Sequence, residues 1–232
     1  MLNSPASEDE IYLARAGDID PYRPVCQGDV FTEVQLPGEH SRTYAMVLSH
    51  PCAMRAGPRL RARVTVVPVS EHTAIALTKW TEGHLRVMPL PDLREDGRPY
   101  AANLEEPATI ASESLALEER IASLSHDGIM LLQQRYIHNH SRLSVPLATL
   151  YEVSAAVLEE LELQESWNLA LVAPAVEGGS DLATCLEQEA VAFDELLSTS
   201  SDGPSLREQL KTPRARAGVR RTINAAIAER MH

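Results

Sequence analysis

The feature that most constrains the fold is the stretch from Thr43 to Ser70, where two short apolar runs flank a basic loop. The runs are Ala45 to Leu48 and Val64 to Val69. Short apolar runs bounded by turn residues are typical of strands that are buried on both faces. The loop contains the turn signal Gly57-Pro58 and is too short for a crossover helix. The sequence therefore predicts two neighbouring antiparallel strands.

Pro68 lies inside the second of these runs. Proline has no amide N–H, so it removes one hydrogen-bond donor from the ladder of a strand. We therefore expect this strand to lie at the edge of a sheet, or to end near Pro68.

The remaining patterns are strand-like first and helical later, which predicts an α+β fold. Further strands are predicted at Val30–Val34, Leu85–Leu90 and Thr109–Leu117. Helices are predicted to start at about Ser125, Pro146 and Asp181, with a break at Gly178-Gly179. A polar linker is predicted at Ser198 to Pro204. One or two more helices are predicted around Pro213 and Gly218. We divide the chain into a loose N-terminal arm (1–23), a β-rich domain (24–143) and a helical extension (144–232).

The charge of the chain is unevenly distributed. Its 232 residues carry a net charge of −12, which argues against wholesale binding of duplex nucleic acid. Between His40 and Ser70, however, there are five arginines and no acidic residue, and the segment from Gly203 to His232 is also basic. These two islands fit either anion-binding sites or ion pairs with the protein's own carboxylates.

Several signals indicate a cytoplasmic protein. No apolar run is long enough to span a membrane, and the polar, acidic N-terminus does not resemble a signal peptide. Cys26, Cys52 and Cys185 are odd in number and far apart, which favours a reducing compartment over a disulfide framework. We expect no cofactor and no membrane partner.

Three motifs, in order and spacing, resemble the PemK/MazF family of bacterial toxin–antitoxin systems. They are Gly28-Asp29-Val30, Ala45 to Ser49, and Val67 to Ser70, and the resemblance covers about residues 27–143. It implies a small SH3-like antiparallel β-barrel, followed here by the helical extension. It also implies an endoribonuclease that cuts single-stranded RNA without a metal ion.

The resemblance places the family's catalytic serine or threonine on Ser70 and its catalytic arginine on Thr43. Arg42 lies one residue before Thr43, and Tyr44 replaces the family's proline. A shift of one residue turns a side chain to the other face of a strand, so Arg42 could serve only from the preceding loop. Arg42 and Ser70 are accordingly the candidate catalytic pair.

The segment Ser49-His50-Pro51-Cys52 concentrates reactive groups. His50 could lower the pKa of the Cys52 thiol, so the two form a candidate reactive pair, or they could supply two zinc ligands. Alternatively, Cys52 is a small buried hydrophobe and His50 caps the end of the strand with a hydrogen bond. Since further ligands at suitable spacing are lacking, we predict no metal site.

Two functions from different classes fit these observations. The first is a nucleic-acid-associated protein with RNA-cleaving chemistry, in which the candidate contacts to single-stranded RNA are Arg55, Arg59, Arg61 and Arg63. The second is a non-catalytic interaction or scaffold module, with a protein partner bound through the barrel and the acidic C-terminal helices. Those helices could also cover the arginines as a built-in, antitoxin-like mask.

Overall fold

The structure is a computed structural model that describes residues 2–200 and 203–231. Part of the predicted linker at Ser198 to Pro204, and the two chain ends, therefore lie outside the described residues. The described chain forms two compact units. The first comprises residues up to 19, 25–54 and 61–153, and the second comprises residues 20–24, 55–60 and 154 onward. The predicted boundary at 143/144 thus falls inside the first unit.

The described residues form ten strands and six α-helices. The strands are β1 Tyr12–Arg15, β2 Val30–Val34, β3 Thr43–Val47, β4 Arg55–Ala56, β5 Arg59–Leu60, β6 Arg63–Glu71, β7 Val87–Leu90, β8 Tyr100–Asn103, β9 Ala108–Ala111 and β10 Arg120–Leu124. The helices are α1 Pro51–Met54, α2 His126–Ser141, α3 Leu147–Glu177, α4 Leu182–Ser198, α5 Leu206–Leu210 and α6 Pro213–Arg230. The chain is therefore α+β, as predicted. No helix within the described ranges is both long enough and apolar enough to cross a membrane.

The first unit is built on an antiparallel sheet of eight strands. Its strands are ordered β1-β10-β2-β3-β6-β8-β7, and β9 pairs with β6 beside β8. The predicted antiparallel pairing of the two apolar runs is confirmed, because Tyr44 of β3 lies opposite Val69 of β6 and Met46 lies opposite Val67. The small β4–β5 hairpin lies within the connection between them.

Pro68 does not mark a sheet edge, so that prediction was wrong. The strand β6 continues to Glu71 and has neighbours on both sides. On the side away from β3, Val66 pairs with Ala108 of β9, whereas Val69 pairs with Ala102 of β8. Pro68 lies between these two pairings, where the ladder on this side changes partner. A residue without an N–H is tolerated at such an interruption.

The N-terminal segment, predicted to be a loose arm, contains the edge strand β1. Tyr12 pairs with Leu124 of β10, and Ile11 is fully buried. The carbonyl of Ile11 also accepts a hydrogen bond from the amide of Ser125, with a donor–acceptor distance of 2.9 Å. The strand β1 is short, and its partner β10 lies more than a hundred residues later. For this reason no local sequence pattern indicates it. The strand β8 was also missed, although its partners β6 and β7 lie much closer in the sequence.

The helices α2 and α4 begin at the N-cap residues that the sequence predicts. The Ser125 hydroxyl accepts a hydrogen bond from the amide of Gly128 at the start of α2. The Asp181 carboxylate accepts one from the amide of Thr184 at the start of α4. The break at Gly178-Gly179 is also present, and Gly179 has a φ of 96°. Gly218, by contrast, lies inside α6 without interrupting it.

The second unit has its own apolar core, formed by α3, α4, α5 and α6. Its centre is the contact between Trp167 and Phe193, whose ring centroids are 5.7 Å apart. The other buried members are Leu163, Leu197, Leu210, Val219 and Ile223. The Trp167 indole N–H donates to Glu189, which also binds Arg230 of α6. This unit can therefore bury its apolar surface within its own helices.

Candidate functional site

A cavity of about 590 Å3 opens on the first unit where β6 changes partners. We call it the Thr43–Ser70 cavity. It is lined by the segment after β2, the start of β3, the middle of β6, and the connection between β8 and β9. The lining residues are Leu36, Pro37, Glu39, Ser41, Thr43, Pro68, Ser70, Asn103, Glu106, Pro107 and Ala108.

Thr43 and Ser70 lie on the same wall of this cavity. Since Tyr44 lies opposite Val69, the register of the two antiparallel strands places Thr43 opposite Ser70. Side chains of directly opposed residues point to the same face, with Cβ atoms roughly 5 Å apart. The two positions to which the resemblance assigns the catalytic residues therefore share one cavity. Arg42 precedes β3, is exposed, and is not among the lining residues.

The chemistry of the cavity is acidic and polar. Its charged lining side chains are the carboxylates of Glu39 and Glu106, and its lining residues include no Lys, Arg or His. Transition states of phosphoryl transfer carry negative charge, which catalytic sites stabilise with cations or hydrogen-bond donors. The charged groups of this cavity would oppose that chemistry.

Glu39 and Glu106 each lie in a tight turn of the backbone. The amide of Glu39 donates to the carbonyl of Leu36, and the amide of Glu106 donates to the carbonyl of Asn103, with distances of 3.2 and 3.4 Å. Gly38 supplies the positive φ, 86°, that the first turn requires. These bonds hold the backbone of both residues at the cavity, and their side chains are exposed.

The structure assigns Arg55 and Arg59 to the second unit, not to a ring around the sheet. Arg55 is buried, and its guanidinium donates to the carbonyl of Pro58 and to the side-chain oxygen of Gln164 on α3. Arg59 forms an ion pair with Glu187 on α4, with 3.6 Å between Nη2 and Oε1. These two arginines therefore attach the β4–β5 hairpin to the helices.

Arg61 and Arg63 belong to the first unit, and both are exposed. The amide of Arg61 donates to the carbonyl of Met54 at 2.8 Å. Arg63 is the first residue of β6, opposite Ala111 of β9. The four predicted nucleic-acid contacts are thus divided between the two units, and no single unit gathers them.

Three of the seven basic side chains in the C-terminal island form ion pairs within the second unit. Arg207 binds Glu160 and Asp194, Arg220 binds Glu159 and Glu162, and Arg230 binds Glu189. These contacts support the interpretation in which the island pairs with the protein's own carboxylates. They also occupy much of the acidic surface of α3 and α4.

His50 and Cys52 lie at the single turn of α1 rather than in an extended strand. The Cys52 amide donates to His50 Nδ1 at 3.2 Å, so His50 caps the start of α1, whereas we expected it to cap the end of the strand. Burial lowers the pKa of His50, so its imidazole is neutral near pH 7 and lends the thiol no cationic stabilisation. Cys52 is exposed, so the expectation of a buried hydrophobe was wrong. Within 2–200 and 203–231, no cluster of His, Cys, Asp or Glu could hold a metal ion.

No protein-family model matches the chain, and no curated protein matches it either. The resemblance to the PemK/MazF family therefore depends on short sequence motifs alone. Sequence reasoning missed Glu39, Asn103 and Glu106, which lie in polar turns that carry no motif. The one local signal near them was Pro68, which marks the partner change that opens the cavity.

Proposed function

We propose that this chain is a non-catalytic interaction module that binds a basic segment of a protein partner in the Thr43–Ser70 cavity. One observation carries the proposal. The cavity has two carboxylates on its rim, Glu39 and Glu106, and no basic side chain in its lining. This charge suits a Lys or Arg side chain better than it suits a phosphate.

The shape of the lining supports the same partner. Pro37, Pro68 and Pro107 provide apolar surface against which the methylene stem of a long basic side chain can pack. The carboxylates can then accept hydrogen bonds from its charged end. The hydroxyls of Thr43 and Ser70 add neutral acceptors at the strand wall.

The setting of this module is also part of the proposal. We place it in the reducing cytoplasm, which is supported by three cysteines that form no disulfide, Cys26, Cys52 and Cys185. We further propose that the sheet is a PemK/MazF-like, SH3-like barrel. The support for that is the position of Thr43 opposite Ser70, which mirrors the pairing implied for the family's catalytic residues.

RNA binding with RNA-cleaving chemistry is a second proposal. It is favoured by that same pairing, and by the exposure of Arg42, Arg61 and Arg63 in the unit that holds the cavity. In this alternative, Arg42 and Ser70 would act on single-stranded RNA. The acidic rim of the cavity makes it the weaker of the two proposals.

A titration with a small basic peptide tests the first proposal. The probe is a capped peptide of glycine and serine with one central arginine, and its matched control carries neutral citrulline instead. We expect the arginine peptide to shift the backbone amide resonances of Thr43, Ser70 and Asn103 to saturation, whereas the citrulline peptide should not.

Variants of the rim make the test specific. The double variant Glu39→Gln, Glu106→Gln should lower the affinity for the arginine peptide by roughly 10-fold or more. The reason is that each charge-assisted hydrogen bond is worth about 1.5–3 kcal/mol. Glu113→Gln, which removes an acidic residue outside the lining, should change nothing. Equal binding of both peptides would refute the proposal, and salt-dependent binding and cleavage of single-stranded RNA by the wild type would favour the second one.

A further inference from the structure

A second cavity, of about 510 Å3, lies elsewhere on the first unit. Its side chains differ in character from those of the Thr43–Ser70 cavity. They include the imidazoles of His72 and His84, the guanidiniums of Arg86 and Arg142, and one carboxylate, Glu82. Gly83, Leu85 and Val87 complete the lining, so the segment from Gly83 to Val87, which we call the wall segment, borders the cavity.

A buried arginine holds this backbone in place. The side chain of Arg135 is completely buried and donates to the carbonyls of Trp80, Gly83, His84 and Val87, with distances from 2.6 to 3.4 Å. Its guanidinium also stacks on the Trp80 ring, 5.5 Å from the centroid. Burial lowers the pKa of Arg135 to about 10, so it stays protonated at neutral pH. No carboxylate within the described residues pairs with it, so its positive charge remains next to the wall segment.

The wall segment also offers backbone donors. The carbonyls of Gly83 and His84 are taken by Arg135. The amides of His84 and Leu85 have no acceptor within the described part of the chain. His84 has a φ of 54°, whereas the φ of Gly83 is not positive. A residue of negative φ followed by a residue in the left-handed conformation is typical of nests, the concave backbone segments whose amides bind anions.

The side chains are only partly engaged. His72 Nδ1 donates to the carbonyl of Thr73 at 2.8 Å, so Nε2 of the neutral ring is an acceptor. The His72 and His84 rings are nearly perpendicular, with centroids 6.2 Å apart. Arg142 ends α2 with a φ of 61° and is exposed, and the described residues contain no partner for its guanidinium.

The acidic groups only partly offset these charges. Arg86 is paired with Glu105, with 3.3 Å between Nε and Oε1, but both side chains are largely exposed. Such surface pairs are weak and exchange readily for a better partner. Three arginines, Arg86, Arg135 and Arg142, exceed the two carboxylates of Glu82 and Glu105 by one positive charge.

We propose that this cavity binds a phosphate monoester of about the size of a mononucleotide. The phosphate would lie against Arg86, Arg142 and the amides of His84 and Leu85. Guanidinium forks and free backbone amides are the groups that proteins use for phosphate oxygens. The cavity is far larger than a single phosphate ion, and its volume is in the range of small-molecule sites. The two cavities share no lining residue, so each proposal is tested by its own variants.

A calorimetric and NMR titration of the whole chain tests this inference. The probes are adenosine monophosphate, adenosine and inorganic phosphate. We expect the monophosphate to bind saturably and to shift the imidazole resonances of His72 and His84. Inorganic phosphate should bind more weakly at the same place, and adenosine should produce no such shift. Binding of adenosine as tight as that of its monophosphate would overturn the proposal, and so would equal affinity for inorganic phosphate or no saturable binding.

Variants locate the binding. Arg86→Gln and Arg142→Gln should each lower the affinity for adenosine monophosphate by roughly 10-fold. This corresponds to the loss of one charge-assisted hydrogen bond. Arg221→Gln is the matched control, because it removes one exposed positive charge from α6 in the other compact unit. It should bind like the wild type. The proposed site is wrong if all three variants bind adenosine monophosphate with the same affinity while the amide resonances in their NMR spectra show intact folds.

Discussion

Asp29 and Arg120 form an ion pair in which Asp29 Oδ2 lies 3.0 Å from Arg120 Nη1, and both side chains are almost completely excluded from solvent. The same carboxylate oxygen accepts the amide of Cys26 at 2.9 Å. This pair links the entry of β2 to its neighbour β10. Asp29 belongs to the Gly28-Asp29-Val30 motif, so the structure gives that motif a role in stabilising the sheet.

The first prediction concerns this pair. Asp29→Ala should lower the free energy of unfolding by roughly 3–5 kcal/mol, because it leaves a buried guanidinium without its carboxylate. Denaturant unfolding followed by circular dichroism would measure the loss. Glu105→Ala, at an exposed ion pair with Arg86, is the control and should have little effect. A similar small effect for both variants would show that the buried pair contributes little.

The second prediction concerns the turn of the β4–β5 hairpin. Gly57 has a φ of 63°, and a Cβ atom built on it would lie 2.6 Å from Asp194 Oδ1. Gly57→Ala should therefore destabilise the second unit, by roughly 1–3 kcal/mol, through backbone strain and displacement of Asp194 from Arg207. Thermal unfolding would report the loss.

Gly38→Ala separates the two causes. Gly38 has a φ of 86°, but nothing lies within 4 Å of a Cβ atom built on it. This variant should show only the cost of the backbone conformation. If Gly57→Ala is no more damaging than Gly38→Ala, the contact with Asp194 does not matter.

The third prediction is a pH dependence of stability. Burial lowers the pKa of His50 below its ordinary value of 6.5. As the pH falls below 6.5, the unfolded chain binds a proton before the folded chain does, so the stability contributed at higher pH is progressively lost. His50→Gln keeps a side-chain acceptor but cannot titrate, and it should lose less stability between pH 7.5 and pH 5.5 than the wild type. Equal losses in urea unfolding would contradict the assignment.

The fourth prediction places a positive charge at the wall of the Thr43–Ser70 cavity. Thr43→Arg should abolish binding of the arginine peptide, because the new guanidinium competes for Glu39 and Glu106 and repels the ligand. Arg42→Ala should leave peptide binding intact, since Arg42 does not line the cavity. Fluorescence anisotropy of a labelled peptide would distinguish them. An effect of Arg42→Ala as large as that of Thr43→Arg would place the ligand outside the cavity.

Local sequence patterns determined several elements of this protein. The apolar runs around Val47 and Val67 and the helix caps Ser125 and Asp181 all lie where the sequence predicts them. Each depends on residues within a few positions of one another, so backbone hydrogen bonding and apolar periodicity are sufficient to specify it. The α+β class follows from the order of those elements.

Contacts between distant segments decided the rest. Pro68 is tolerated inside β6 because β9 and β8 meet beside it, and Arg55 is buried because Gln164 lies next to the hairpin. The acidic rim of the Thr43–Ser70 cavity likewise joins Glu39 to Glu106 across the sheet. A sequence pattern indicates whether a residue prefers to be buried or exposed, but the partner that satisfies its charge or hydrogen bond is chosen by the tertiary fold. The sites therefore became visible only in the structure.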